Sequence, residues 1–305
     1  MPASPTATAA EIKDANTRYH DVAAASYDAK WGIDFGPIGQ EQVRAKLAKA
    51  LGRDPQESLG EALEIGAGTG YFSLNLLQLG VIDKVTASDI SPGMLETLGA
   101  TADSLGVEVE PIRAEAERLP FPDRSFDLVL GHAVLHHIPD LDRALTGFRR
   151  VLRPGGRIAF CGEPSRYGDR LASLPKRGGR LIAPAWRRLV GASARHSAAE
   201  HSDHGHELES EVDVHAFAPT DLVASLDAAG FTDVRVRGEE LLANAYGWLL
   251  RSLEGSAEPD QVPLRWQRFA FRSYIALQRL DARLLEPRLP PRLFYNLVLS
   301  ARSPG

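Results

Sequence analysis

The sequence predicts an α/β fold in which a mostly parallel sheet carries helices on both of its faces. The first observation is that short apolar segments alternate with amphipathic segments of helical length between residues 59 and 163, which is typical of βαβ units. The second is a glycine turn from Gly66 to Gly70, placed directly after the first apolar segment, where a strand would pass into a helix. The chain of 305 residues is long enough for one such domain with insertions.

Apolar runs that stop at glycines or polar residues predict the strands. In order, these are residues 61–65, 81–87, 107–112, a fourth strand from Phe126, 157–162, 232–236 and a last strand from Arg292.

Apolar residues at helical spacing predict the helices between these strands. Ser91 is a suitable N-cap, and Pro92 then takes the first helical position. The predicted helices cover residues 10–29, 40–51, 71–79, the segment after Ser91, 142–152, 219–230 and two stretches within 239–290.

Composition sets limits on the class of protein. The net charge of -5 gives no general argument for a nucleic-acid partner. The single cysteine, Cys161, excludes an intramolecular disulfide and fits a reducing compartment. The N-terminal residues lack the features of a signal peptide, and no apolar run is long enough to span a bilayer. We therefore expect a cytoplasmic protein without a transmembrane segment.

The glycine turn indicates a ligand that approaches the backbone closely. Its glycines follow G-x-G-x-G spacing, and Glu64 stands two residues before the first of them. A dinucleotide fingerprint requires G-x-G-x-x-G, and Tyr71 occupies the place of its third glycine. Asp89 closes the second strand, where a carboxylate can accept two hydrogen bonds from a ribose diol.

Four segments together resemble class I S-adenosylmethionine-dependent methyltransferases. These are "LEIGAGTGYF", "RAEAERLPFPDRSFDLVL", "HAVLHHIPD" and "VLRPGGRIAF", in order over about residues 60–162. Among subgroups the chain most resembles small-molecule methyltransferases related to the ubiquinone and menaquinone biosynthesis C-methyltransferases. The resemblance implies a Rossmann-like fold of seven strands with the last strand antiparallel, and S-adenosylmethionine as cofactor.

The resemblance also implies a set of cofactor-binding residues. Tyr27 could lie over the amino-acid end of the cofactor or equally belong to the core. The predicted cofactor site consists of Tyr27, Glu64, Gly66, Ala67, Gly68, Gly70, Asp89, Ile90, Met94, Glu115, Ala116, Glu117 and His132.

Methyl transfer from a sulfonium is an in-line displacement, so placement of the nucleophile matters more than a catalytic triad. A base helps when the acceptor is a hydroxyl, a phenol or a carbon acid, and it should project from the ends of strands four or five. His136, His137 and Glu163 are the predicted catalytic residues. Histidines at such a helix start also serve merely to cap or pack.

The predicted organisation separates a core from two additions. It consists of a flexible tail at 1–10, an N-terminal helical cap at 11–58, the cofactor-binding half of the core at 59–163, an insertion or lid at 164–217, a helix and sixth strand at 218–238, a helical cap insertion at 239–290 and a final strand at 291–305.

The lid contains His196, His201, His204 and His206 with several acids. A metal site there is one interpretation. The segment is polar and lacks the i, i+4 pairing of a helical zinc motif, so a solvated lid is favoured and no metal is predicted.

The additions combine basic and apolar residues. In the second, Phe269, Ser273, Ala276, Leu280 and Leu284 share a helical face, beside a stripe formed by Arg268, Arg272, Arg279 and Arg283. One interpretation is a cap helix with solvated arginines. The other is a cap for a hydrophobic or anionic substrate, with peripheral contact to a membrane surface.

Together these observations predict S-adenosylmethionine-dependent methyl transfer to an oxygen or carbon of a small or lipid-like molecule. An NAD(P)-dependent oxidoreductase and a non-catalytic S-adenosylmethionine-binding module are the alternatives. Nucleic acid is not expected as a partner, because "GHAVLHH" replaces the Asn/Asp-Pro-Pro-aromatic motif of adenine-methylating members. The sequence does not predict the oligomeric state.

Overall fold

The computed structural model describes residues 8–195 and 215–305. The strands are β1 Glu61–Ile65, β2 Lys84–Asp89, β3 Glu110–Arg113, β4 Phe126–His132, β5 Leu152–Pro164, β6 Thr232–Glu239 and β7 Asn296–Arg302. The helices are α1 Ala9–Ala23, α2 Tyr27–Trp31, α3 Pro37–Leu51, α4 Tyr71–Gln78, α5 Pro92–Leu105, α6 Leu141–Val151, α7 Arg166–Val190, α8 Pro219–Ala228, α9 Leu242–Glu254 and α10 Leu264–Leu280.

The strands form one seven-stranded sheet in the order β3-β2-β1-β4-β5-β7-β6. Strands β1 to β5 pair in parallel, and β7 runs antiparallel beside β5, with reciprocal backbone hydrogen bonds between Ser303 and the Gly155–Gly156 pair. The predicted fold class is thereby confirmed. Because the strand order reverses between β1 and β4, the crevice at their carboxyl ends is the expected place for a ligand.

The core lies on both faces of the central strands. Leu63 of β1 and Leu130 of β4 are fully buried. One apolar cluster joins Leu47 of α3 and Phe72 of α4 to these strands. Because the two central strands are covered on both faces, their carboxyl ends are rigidly placed.

The described residues divide into two compact units. The first comprises 8–163, 215–236 and 298–305, and it contains the central strands. The second comprises 164–195 and 237–297, with helices α7, α9 and α10. No helix in the described ranges is both long and apolar enough to cross a bilayer.

Helix α7 is the main element that the sequence analysis did not foresee. The sequence between residues 164 and 195 showed no regular unit, whereas the structure has a helix of 25 residues there. Pro175 and Pro184 lie inside this helix. Because proline normally ends a helix, the sequence did not indicate a continuous helix here. Residues 1–7 of the predicted tail and 196–214 of the predicted lid lie outside the described residues, and the proposed domain boundaries stay predictions.

Candidate functional site

The turn after β1 keeps one face of its backbone open. Gly66, Gly68 and Gly70 all have positive φ, at 60°, 54° and 90°. A Cβ atom at Gly66 would overlap the Val134 side chain, and one at Gly70 would lie 2.7 Å from Cδ1 of Leu74. A Cβ at Gly68 would meet nothing within 4 Å. The first and third glycines therefore allow close packing, while the second presents bare backbone to open space.

A pocket lies at the carboxyl ends of β1, β2 and β4, within the first unit. It brings together most of the predicted site. The predicted residues that line it are Tyr27, Gly66, Gly68, Asp89, Ile90, Glu115, Ala116, Glu117, His132 and His137. The predicted residues outside the lining are Glu64, Ala67, Gly70, Met94, His136 and Glu163.

One wall of this pocket was not predicted from the sequence. Helix α1 contributes Lys13, Asn16 and His20, whose spacing of three and four residues places them on one helical face. That polar spacing was a signal, but nothing local in the sequence indicates that this face meets the strand ends. The other lining residues that were missed are Ile65, Ala114, Ala133, Val134, Ile138 and Pro139.

Asp89 is held in one orientation at the end of β2. Its Oδ2 accepts a hydrogen bond from the Gly68 N–H at 2.8 Å, and its Oδ1 accepts one from the Ser91 N–H at 2.8 Å. Burial raises the pKa of this carboxyl, while the N–H groups of Ser91 and Gly68 act in the opposite direction. Each oxygen keeps capacity for a further hydrogen bond, so the group can accept two donors on neighbouring atoms of a ligand.

Glu64 lies behind the glycine turn. It is buried, and its Oε2 accepts a hydrogen bond from the Ser73 N–H at 3.3 Å. Burial raises the pKa of Glu64 to about 8. The carboxyl holds the first turn of α4 through Ser73 and does not itself line the pocket.

The loop after β3 is fixed by a lysine from α1. The Lys13 Nζ lies 2.8 Å from Oε2 of Glu115 and 3.0 Å from Oε2 of Glu117. The hydrogen bond from Lys13 lowers the pKa of Glu115. One cation thus holds two carboxylates side by side, and all three residues line the pocket.

Two further carboxylates attach the N-terminal helices to the turns around the pocket. Asp28 of α2 accepts a hydrogen bond from the Thr69 hydroxyl at 2.6 Å. Asp21 of α1 accepts one from the Ser91 hydroxyl at 2.5 Å and one from the Gly93 N–H at 3.0 Å. These contacts place the wall formed by α1 and α2 against the glycine turn and the start of α5.

Glu163, at the end of β5, holds the turn that follows β4. Its Oε1 accepts hydrogen bonds from the N–H groups of Val134 and Leu135, both at 3.0 Å. Its Oε2 accepts from the His136 N–H at 3.2 Å and contacts Nδ1 of the same histidine at 2.9 Å. The carboxylate is buried, so these contacts determine the conformation of the turn.

The histidines of this turn take different positions. His137 lines the pocket, and its ring centroid lies 5.8 Å from that of His20. His136 packs beneath it, with the two ring centroids 3.9 Å apart. From the other side, the His215 N–H donates to the His136 carbonyl at 3.1 Å, and its Nε2 lies 3.0 Å from the Ile138 carbonyl.

The described part of the chain contains no group of three or more metal-binding side chains. His196, His201, His204 and His206, the basis of the alternative metal interpretation, lie outside that part.

Comparison with known proteins provides three similarities. Residues 63–160 match the family described as "Methyltransferase domain". The chain is 31% identical over 233 residues to a malonyl-[acyl-carrier protein] O-methyltransferase of Methylococcus capsulatus, covering 71% of this chain and 76% of that protein. It is 32% identical over 150 residues to the ubiquinone/menaquinone biosynthesis C-methyltransferase UbiE of Haemophilus ducreyi, covering 45% of this chain and 58% of the relative.

Among solved structures, the fold is similar to that of Haemonchus contortus phosphoethanolamine N-methyltransferase 2, crystallised with S-adenosyl-L-methionine. The TM-score is 0.60 at 17% identity, over 99% of this chain and 61% of the other. At that identity the likeness concerns the fold alone. The chain thus spans less than two thirds of the length of this protein and of the UbiE relative.

Proposed function

The chain belongs to the family of S-adenosylmethionine-dependent methyltransferases, and on that premise we propose that its pocket holds the methyl donor beside a small or lipid-like acceptor. The observation that supports the proposal most strongly is the fixed Asp89 carboxylate beside the open face of Gly68. A ribose diol needs two acceptors at neighbouring positions, and an adenosine needs close approach to the backbone. The pocket offers both on adjoining turns.

The residues at the pocket fit this cofactor. Asp89 would accept the ribose hydroxyls, and the loop of Glu115 to Glu117 would border the adenine. Gly66 and Gly68 would border the amino-acid end, with Tyr27 in the facing wall. When bound, S-adenosylmethionine supplies an electrophilic methyl group on a sulfonium, and the chain then has to orient an acceptor and exclude water.

We propose that His137 is the general base when the acceptor must lose a proton. Its ring is the one of the pair that lines the pocket, whereas His136 supports it from beneath and contacts Glu163. This proposal assigns Glu163 a positioning role through the turn at residues 134–136 and not a direct role in proton transfer.

Calorimetric titration of the purified chain with S-adenosylmethionine, S-adenosylhomocysteine and NAD tests the cofactor. We expect binding of the first two and none of NAD, and Asp89→Ala should weaken binding at least about tenfold because two hydrogen bonds to one carboxylate are lost. Asp103→Asn, an exposed carboxylate on α5, is the matched control and should bind as the wild type does. Binding of NAD without binding of S-adenosylmethionine or S-adenosylhomocysteine would contradict the proposal.

Transfer of a labelled methyl group to a panel of carboxylates, phenols, thioesters and lipid extracts tests turnover. Labelled product, lost in His137→Ala while cofactor affinity is kept, supports the proposed base. Cofactor binding without product in any extract would favour the alternative of a non-catalytic binding module. A location in the cytoplasm, expected from the composition, stays a proposal.

A further inference from the structure

Helix α7 turns its small residues toward the other elements of the second unit, to which it belongs. Gly168, Ala172, Gly179 and Ala183 are buried and share one helical face, which Trp186 extends. A Cβ at Gly179 would lie 2.6 Å from the Cβ of Ser252 on α9, so the two helices approach closely. The large apolar side chains of α7 that are exposed lie on a different face of the helix.

The outward face of α7 is accordingly apolar. Its side chains fall within an arc of about 100° at 3.6 residues per turn. Leu174, Leu181 and Leu189 are 65%, 81% and 79% exposed. The whole outward apolar stripe consists of Tyr167, Leu171, Leu174, Leu181, Ile182 and Leu189. An exposed stripe along the full length of a helix indicates a binding surface, since single surface leucines are ordinary and contiguous ones are not.

Arginines adjoin this apolar stripe. Arg170, Arg177 and Arg188 are exposed and fall on its flank. The 25 residues of α7 contain seven lysines and arginines and one acid, in a chain whose net charge is -5. The outward face is therefore positive as well as apolar.

Helix α10, in the same unit, also has exposed apolar residues beside exposed arginines. Phe269 and Leu280 are exposed, and so is Leu284 in the π-helical segment Asp281–Leu285 that follows. The arginine stripe predicted beside them, at residues 268, 272, 279 and 283, is also exposed. The helix contains no aspartate or glutamate.

We propose that the outward faces of α7 and α10 bind the surface of an anionic lipid bilayer. The leucine and phenylalanine side chains would enter the acyl boundary, and the arginines would meet the headgroups, with α7 lying on the surface. Helix α7, with 25 residues, is about 37 Å long, and a planar surface can contact its stripe over the whole length. This inference does not depend on the proposed methyl transfer.

Two other occupants fit these faces less well. A second copy of the chain would bring the same positive face against itself, which is unfavourable. An acidic carrier protein would satisfy the arginines, but it would have to cover a long leucine stripe as well. A bilayer therefore matches both the charge and the apolar character of the surface.

Sedimentation of the full chain with vesicles tests the proposal. Vesicles of phosphatidylcholine with 30% phosphatidylglycerol should bind the chain more than about tenfold better than phosphatidylcholine alone, with a strong decrease at high salt. Leu174→Gln/Leu181→Gln/Leu189→Gln should weaken binding at least about tenfold. Arg170→Gln/Arg177→Gln/Arg188→Gln should weaken it about 100-fold, from about 1 kcal/mol per charge.

Control variants on the first unit also change exposed residues. These are Val22→Gln/Ile38→Gln for the apolar stripe and Arg18→Gln/Arg53→Gln/Arg124→Gln for the charges, and both should bind vesicles as the wild type does. Equal loss in the controls, or equal binding to both kinds of vesicle, would overturn the proposal.

Measurements on the same proteins distinguish a bilayer from a second copy of the chain and from a carrier protein. Sedimentation velocity that shows a dimer abolished by the leucine substitutions, without vesicle binding by the wild type, would identify a second copy as the occupant and overturn the proposal. Capture of an acidic carrier protein without vesicle binding would do the same. An unchanged urea unfolding transition in the stripe variants, followed by the fluorescence of Trp186, Trp248 and Trp266 in the second unit, shows that they fold. Vesicle binding by a chain that fails to bind S-adenosylmethionine would refute the proposed function and leave this inference standing.

Discussion

Replacement of Glu163 by glutamine tests how the turn at residues 134–136 is held. Each oxygen of the buried carboxylate meets two nitrogens, from three backbone N–H groups and the Nδ1 of His136. Glutamine offers one oxygen, which can keep the hydrogen bonds from Val134 and Leu135. Its NH2 group can donate to Nδ1 of His136 if the histidine changes tautomer, but it then faces the His136 N–H, a second donor.

The loss of unfolding free energy in Glu163→Gln can be worked out from these hydrogen bonds. One buried N–H left without an acceptor costs about 1–3 kcal/mol, and each of the two remaining backbone hydrogen bonds loses its charge assistance, at about 1 kcal/mol. The unfolding free energy should therefore decrease by about 3–5 kcal/mol. An exposed glutamate, Glu57→Gln, should change it by less than about 0.5 kcal/mol.

Urea unfolding followed by tryptophan fluorescence measures the difference, and amide hydrogen exchange locates it. We expect faster exchange at residues 134–136 in Glu163→Gln, together with slower methyl transfer at nearly unchanged cofactor affinity. A loss below about 1 kcal/mol with unchanged exchange at these amides would show that the carboxylate does not hold the turn.

Three further predictions concern the cofactor side. Burial raises the pKa of Glu64 to about 8 from 4.5, so the folded chain keeps a proton that the unfolded chain releases. As the pH rises from 4.5 to 8, the unfolding free energy of the wild type should therefore decrease relative to that of Glu64→Gln, by at most about 4 kcal/mol. Urea titrations of both proteins across that pH range measure the decrease. Gly68 and Gly80 both have a positive φ and open space at Cβ, so replacing either with alanine should lower the folding stability by about 1–2 kcal/mol. Calorimetry should show weaker S-adenosylmethionine binding for Gly68→Ala but not for Gly80→Ala. Lys13→Met should lower that affinity about fivefold by releasing the two acids after β3, whereas the exposed Lys84→Met should not.

The sequence predicted those parts of the site that depend on local structure. Once the strands are predicted, the glycines and the carboxylate fall at strand ends, where a ligand is expected. Gly66, Gly68 and Asp89 were therefore predicted from the sequence, and all three line the pocket. The hydrogen bond from the Gly68 N–H to Asp89 adds what the pattern did not contain, namely that the two features fix each other. Their roles in binding stay predictions until a cofactor complex is measured.

The sequence could not predict features that arise from packing between distant segments. Helix α1 reads as an ordinary amphipathic helix, and the ion pair of Lys13 with Glu115 spans 102 positions along the chain. Glu163 was interpreted as a catalytic candidate because it ends a strand beside the site. Only the fold shows that three backbone N–H groups and a histidine surround it. Helix α7 was missed because proline is a strong local signal that packing against α9 overrides.

One side of the pocket is formed by local turns and the other by helices distant in the sequence, and this difference affects which residues should determine acceptor specificity. The side of the pocket that we propose for the methyl donor is built from turns whose requirements are common to any adenosine-binding sheet. The wall from α1 and α2 carries Lys13, Asn16, His20 and Tyr27, and it is attached by Asp21 and Asp28 to the same turns. Apart from Lys13, which holds the acids after β3, and Tyr27, side chains on this wall can change with little effect on the donor side, because the two carboxylates that attach the wall lie outside the lining. Acceptor specificity should therefore follow the residues of this wall more closely than those of residues 63–160, which match the methyltransferase family.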